Sequence, residues 1–153
     1  MLYSPLLGFL AVFLRFTATQ QGPEDRLVHL YQSHLSHATF PFRAVAADSS
    51  GFDRLWKEVV SDPRKPRPDV DFHKYMVVVA ALGEVPSTSY RINIRAVDYP
   101  PGAIRVHVDL SSLSPESTCP TEPMFTSPVD VVRVPRTGGL VAFVERVVLI
   151  GCR

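Results

Sequence analysis

The run Tyr75 to Leu82 reads YMVVVAAL and carries no charged side chain. An alternating strand can leave one face in water, but a run that is apolar on both faces cannot. These residues therefore predict a central strand. Gly83 stops the run, and Pro86 to Ser89 (PSTS) supplies turn residues. Two alternating stretches follow. Tyr90, Ile92, Ile94 and Ala96 are set to face inward between Arg91, Asn93 and Arg95. Ile104, Val106, Val108 and Leu110 repeat the pattern between Arg105, His107 and Asp109. Pro100, Pro101 and Gly102 join the two, and turn and spacing together predict a hairpin.

Other strands are expected at Leu27 to Tyr31, Phe42 to Ala47, Val129 to Val134 and Leu140 to Ile150. One segment has helical rather than strand periodicity. Phe52, Leu55, Trp56, Val59 and Val60 form one apolar stripe. Ser50 is the expected N-cap, answered by Asp53 three residues on, and Asp53 is spaced to pair with Lys57. Pro63 ends the helix, and the Pro-rich, basic stretch DPRKPRPD from Asp62 to Asp69 predicts an extended surface connector. The sum is a mainly β (α+β) chain: an antiparallel β-sandwich or open barrel with one short helix packed on it.

The 153 residues suit a single domain. A formal net charge of +1 offers no electrostatic footprint for nucleic acid. No apolar run reaches the roughly 18–20 residues of a membrane-spanning helix. Pro5 to Leu14 (PLLGFLAVFL) is shorter, and small residues at Thr17, Ala18 and Thr19 follow it. This pattern reads as a secretory signal peptide over residues 1–19, with one β-rich domain over residues 20–153 and an exported, periplasmic or extracellular location. In an exported chain the two cysteines, Cys119 and Cys152, are expected to pair. Such a bridge closes a loop of about 33 residues, worth on the order of 3–4 kcal/mol in the chain-entropy model.

Chemistry-bearing motifs are missing. There is no Gly-x-Ser-x-Gly elbow, phosphate loop, dinucleotide fingerprint or zinc-peptidase pattern. His29, His34, His37, His73 and His107 could bind metal, but no Cys or carboxylate stands at tight ligand spacing with them. Neither an enzyme nor a cofactor is expected. The segment Ser111 to Pro128 is long for a compact domain, and loops of that length are often functional. Its four prolines and Cys119 limit its freedom, which lowers the entropy lost on binding. Met124 and Phe125 are its candidate apolar anchors, and Pro86, Ser87, Thr88, Ser89 and Tyr90 are candidates for a second contact loop.

From Phe52 to Arg146 the chain resembles the C-terminal domain of PrcB, a protease-complex subunit. The landmarks are Leu55-Trp56 on the helix, Val70-Asp71-Phe72 ahead of a strand ending in Leu82-Gly83, then Pro86 and Tyr90. Pro115 and Cys119 precede Pro128-Val129, and Val134-Pro135 precede a closing strand with Phe143-Val144-Glu145. The family usually carries a Thr-Gly-Gly-Tyr turn where this chain has Ser87, Thr88, Ser89 and Tyr90. The resemblance implies an exported, non-catalytic accessory domain whose partner is a protein, with an extracytoplasmic protease as the family's example. The alternatives are a β-sandwich protease inhibitor wedging its loops into the enzyme and a metal protein using the histidines.

Overall fold

The computed structural model describes residues 27–151; the residues read as a signal peptide, and Cys152, lie outside them. Seven strands and one helix follow in the order β1 (Val28–Ser33), β2 (Phe42–Ala46), α1 (Ser49–Val59), β3 (Tyr75–Ala81), β4 (Arg91–Asp98), β5 (Ala103–Leu113), β6 (Val129–Pro135) and β7 (Leu140–Ile150). They form a four-stranded sheet, β1-β6-β3-β2, and a three-stranded sheet, β4-β5-β7. The two sheets share no strand and enclose a common core, so of the two expected architectures the sandwich is the one adopted. Every pairing is antiparallel except β5 with β7, which run parallel.

β3 is buried along its whole length, as its composition demands. Its alternate residues serve two separate cores. Val77, Val79 and Ala81 point to α1 and pack with Phe52, Trp56 and Val59. Met76, Val78 and Ala80 point to the other sheet and pack with Ile92, Ile94, Ile104, Val106 and Val108. The molecule thus has three layers: helix, four-stranded sheet, three-stranded sheet. Burying one such valine contributes about 1.5–3 kcal/mol, so the layers stand on β3 and its neighbour β6 more than on any other pair.

Five local details depart from the sequence reading. Asp48, not Ser50, caps α1: its Oδ1 accepts from the Gly51 N–H at 2.7 Å and from the Ser50 hydroxyl at 2.8 Å. A carboxylate accepts both donors at once, and a serine cap two residues later would leave that capacity unused. Asp53 pairs with Arg67 rather than Lys57. The Pro-rich connector folds back over the helix, with the Arg67 guanidinium 5.1 Å from the Phe52 ring centroid. A bulge between Ile94 and Ala96 breaks the alternation of β4, and Val97 takes the inward place expected of Ala96. Finally, β5 continues to Leu113, so Ser111 and Ser112 belong to a strand rather than to the long loop.

Asp130 is a buried carboxylate in the otherwise apolar β6. Its Oδ2 accepts from the Ile94 N–H of the opposite sheet at 2.7 Å, and its Oδ1 accepts from His29 Nδ1 of β1 at 2.8 Å. Burial raises its pKa, against the pull of those two hydrogen bonds. The bulge at Ile94 explains the need: a backbone N–H released from the β4–β5 ladder faces the core, and the Asp130 carboxylate satisfies it.

Candidate partner-binding end

The expected contact loops come together at one end of the sandwich. β3 leaves its sheet at Gly83 and continues to Val85, which pairs with Thr126 through two backbone hydrogen bonds of 2.8 and 2.9 Å. Thr126 Oγ1 also donates to the Ser87 carbonyl at 3.0 Å. The Pro86–Tyr90 turn and the Met124–Phe125 loop are therefore joined, although 39 residues separate Ser87 from Thr126. The serine-rich turn needs no left-handed residue: its only non-glycine substitutes for the family's glycines keep negative φ, and the Ser87 hydroxyl accepts from the Ser89 N–H at 3.1 Å instead.

The loop between β1 and β2 reaches the same end at two points. Ser127 ties the loop after β1 to this region: its N–H donates to the His34 carbonyl at 2.9 Å, and its hydroxyl accepts from the Ser36 N–H at 2.7 Å. Phe40 lies just before β2, whose first residue, Phe42, pairs with the last of β3, Ala81. Gly83 holds this corner. Its φ is +75°, and a Cβ there would stand 2.7 Å from the Phe40 carbonyl carbon. The other sheet ends at the same level, because Gln32 Nε2 donates to Asn93 Oδ1 at 3.3 Å and a cleft of about 330 Å³ opens between Ser33, Arg91, Ser111 and Pro128.

Apolar side chains point outward here. Phe40 is 78% exposed and Phe125 71% exposed, with Leu35 and Met124 beside them in the chain segments just described. Met124 and Phe125 are thus surface side chains. Leu35 and Phe40 have no periodicity that marks them in the sequence; both sit in the loop between β1 and β2, and only the folding of that loop to this end reveals them. A second, smaller cleft of about 200 Å³ lies beneath the loops, lined by Thr88, Ser89, Cys119, Pro120 and Ile150 among others. Arg91 borders both clefts, and no acidic side chain lines either.

The histidines do not converge. His29 is held by Asp130, and His107 Nε2 lies 2.7 Å from Asp98 Oδ2 on the opposite part of the fold. Among the described residues no group of three or more His, Cys, Asp or Glu is placed to hold a metal ion. Among the same residues no helix is long and apolar enough to cross a membrane.

This is the architecture of a two-sheet module with apolar side chains exposed on the loops at one end. Residues 76–135 match the family model described as PrcB C-terminal, which bears out the resemblance read from the sequence. The match runs from β3 through β6 and so includes both joined contact loops. No curated protein and no solved structure matches the chain.

Proposed function

We propose that the chain is a non-catalytic, exported binding module that grips another protein, in the family's manner an extracytoplasmic protease, with the loop end of its sandwich. The observation that carries this reading is the outward set of Leu35, Phe40, Met124 and Phe125 on loops tied to one another by the Val85–Thr126 bridge and by Ser127. Aromatic side chains on pre-ordered loops lose little entropy on binding and supply most of an interface's energy. Separate loops that expose apolar groups together mark a surface made to be covered. The bridge from Cys119 to Cys152 belongs to the same proposal. Cys119 and Ile150 line one cleft, and the Ser114 N–H donates to the Ile150 carbonyl at 2.9 Å, which brings the end of β7 to the loop that Cys119 occupies.

The experiment measures the half-life of the secreted proteases of the producing cell with and without the purified chain. A stabilising module lengthens the half-life of one protease, and Phe40→Ser with Phe125→Ser abolishes the effect while the melting temperature stays in place. An unchanged half-life for every protease, or an effect that survives the double substitution, overturns the reading. Lowered turnover of an otherwise unaltered protease would instead assign the inhibitor role to the same loops.

A further inference from the structure

A two-sheet sandwich has four edge strands, and an unpaired edge is a template for another chain unless it is blunted. Three edges here are blunted in different ways. β1 carries a register shift between His29 and Tyr31, β4 carries one between Ile94 and Ala96, and β2 is only five residues long. β7 has none of these devices. It runs for 11 residues, pairs with β5 in unbroken register from Leu140 to Ile150, and contains neither proline nor lysine.

Its two charges do not guard it either. Glu145 is held by Arg43 of β2 at 2.7 Å, and Arg146 by Asp109 of β5 at 2.8 Å. What remains along the strand is apolar and wet: Val147 is 71% exposed and Leu149 58% exposed. Both belong to the set of β7 residues that faces the other sheet, yet that sheet ends in the short β2 and does not cover them. Every second residue of β7 also turns its backbone N–H and C=O away from β5, with no neighbouring strand among the described residues.

We propose that β7 pairs antiparallel with β7 of a second copy of this chain, joining two three-stranded sheets into one of six strands. Self-pairing across a two-fold axis requires a strand whose own sequence is compatible with its reverse. Centring the axis on Glu145 or Arg146 would oppose two like charges, which is unfavourable. Centring it on Val144 would leave Leu149 facing Gly139. Centring it on Val147 sets Val147 against its copy, Glu145 against Leu149 and Arg146 against Val148, over a span from Phe143 to Gly151. The overhanging Leu149 then lies beside Glu145 of the second copy, above that copy's β2. The two internal ion pairs keep the junction free of unpaired charge.

Sedimentation velocity of the full chain over a concentration series tests this. The expected result is a monomer–dimer equilibrium that Val147→Lys weakens by about 100-fold, because each dimer would then oppose two ammonium groups at its axis. Leu149→Glu, which would oppose Glu145 of the second copy with a like charge, should weaken it as well, which guards against one variant failing to fold. Leu140→Lys, equally apolar in origin but outside the paired span, should leave it unchanged. Amide exchange along β7 should slow as concentration rises. A chain that stays monomeric throughout, a dimer indifferent to both Val147→Lys and Leu149→Glu, or one that Leu140→Lys disrupts equally, overturns the proposal.

Discussion

β3 and β7 are the two most apolar strands of the chain, and they meet opposite fates. β3 is buried at every residue, while β7 leaves most of its side chains in water. Hydropathy does not distinguish them; their neighbours do. β3 has a strand on either side, a helix over one face and a sheet over the other. β7 has one strand beside it and only part of a sheet beneath it. Apolar composition says that a strand seeks cover, and the position in the sheet order says whether the fold supplies it.

The sharpest way to break this comparison is a matched pair of substitutions. Val78→Asp places an unpaired carboxylate between the sheets and should cost about 4 kcal/mol or more, enough to unfold a marginal domain. Val147→Asp, the same chemical change on β7, should alter monomer stability by about 0.5 kcal/mol or less. Urea denaturation of both variants at low protein concentration reads the difference, and equal losses would sink the contrast.

A second test sits where the core is polar. Asp130→Ala leaves the Ile94 N–H buried without an acceptor and should cost about 2–3 kcal/mol, whereas Asp130→Asn keeps an acceptor in place and should cost far less. The two variants also separate by pH. Because the folded protein raises the pKa of Asp130, the native state holds that proton more tightly than the unfolded chain. Stability from this group is therefore full below the ordinary carboxylate pKa and is lost as pH rises through the raised value. Asp130→Asn should remove that decline from the stability profile, measured by chemical denaturation at a series of pH values.

A smaller effect than that at Asp130 belongs to β7's own anchorage. Arg146 reaches both carboxylate oxygens of Asp109, at 3.0 and 2.8 Å, and Arg95 approaches the same group from β4 at 3.4 Å. The hydrogen bond and charge of Arg146 hold the Asp109 pKa below its ordinary value. Arg146 is largely exposed, so solvent screening keeps the loss of stability on Arg146→Ala small at neutral pH. The sign here is the reverse of that at Asp130. The contribution is present above the ordinary carboxylate pKa and fades as pH falls through the lowered one. The wild-type and variant stability curves should accordingly converge in acid.

Much of the fold was legible because it rests on short-range periodicity. The apolar stripe of α1, the β4–β5 hairpin and the doubly buried β3 follow from residues close in the chain. The misreadings arose where a residue answers to a distant partner. Asp53 had an obvious helical neighbour in Lys57, yet Arg67, brought back by the connector, holds it. Ala96 had the right parity to face the core, but the bulge beside it moved that place to Val97. Asp130 could have been suspected, since a carboxylate inside VDVVRV demands a reason to be there. The apolar loop end was half visible: Met124, Phe125 and the Pro86–Tyr90 turn stood out as loops, but Leu35 and Phe40 did not.

By itself, then, the sequence determined which segments become strands, which one becomes the helix and which strand must lie at the centre. Those outcomes depend on the spacing of side chains along a single segment. Only the tertiary structure decided that β7 would run parallel at an edge, that two loops 39 residues apart would share a bridge, and that four apolar side chains would face outward together. These depend on strand order, and strand order is set by the simultaneous packing of all layers, which no local pattern encodes.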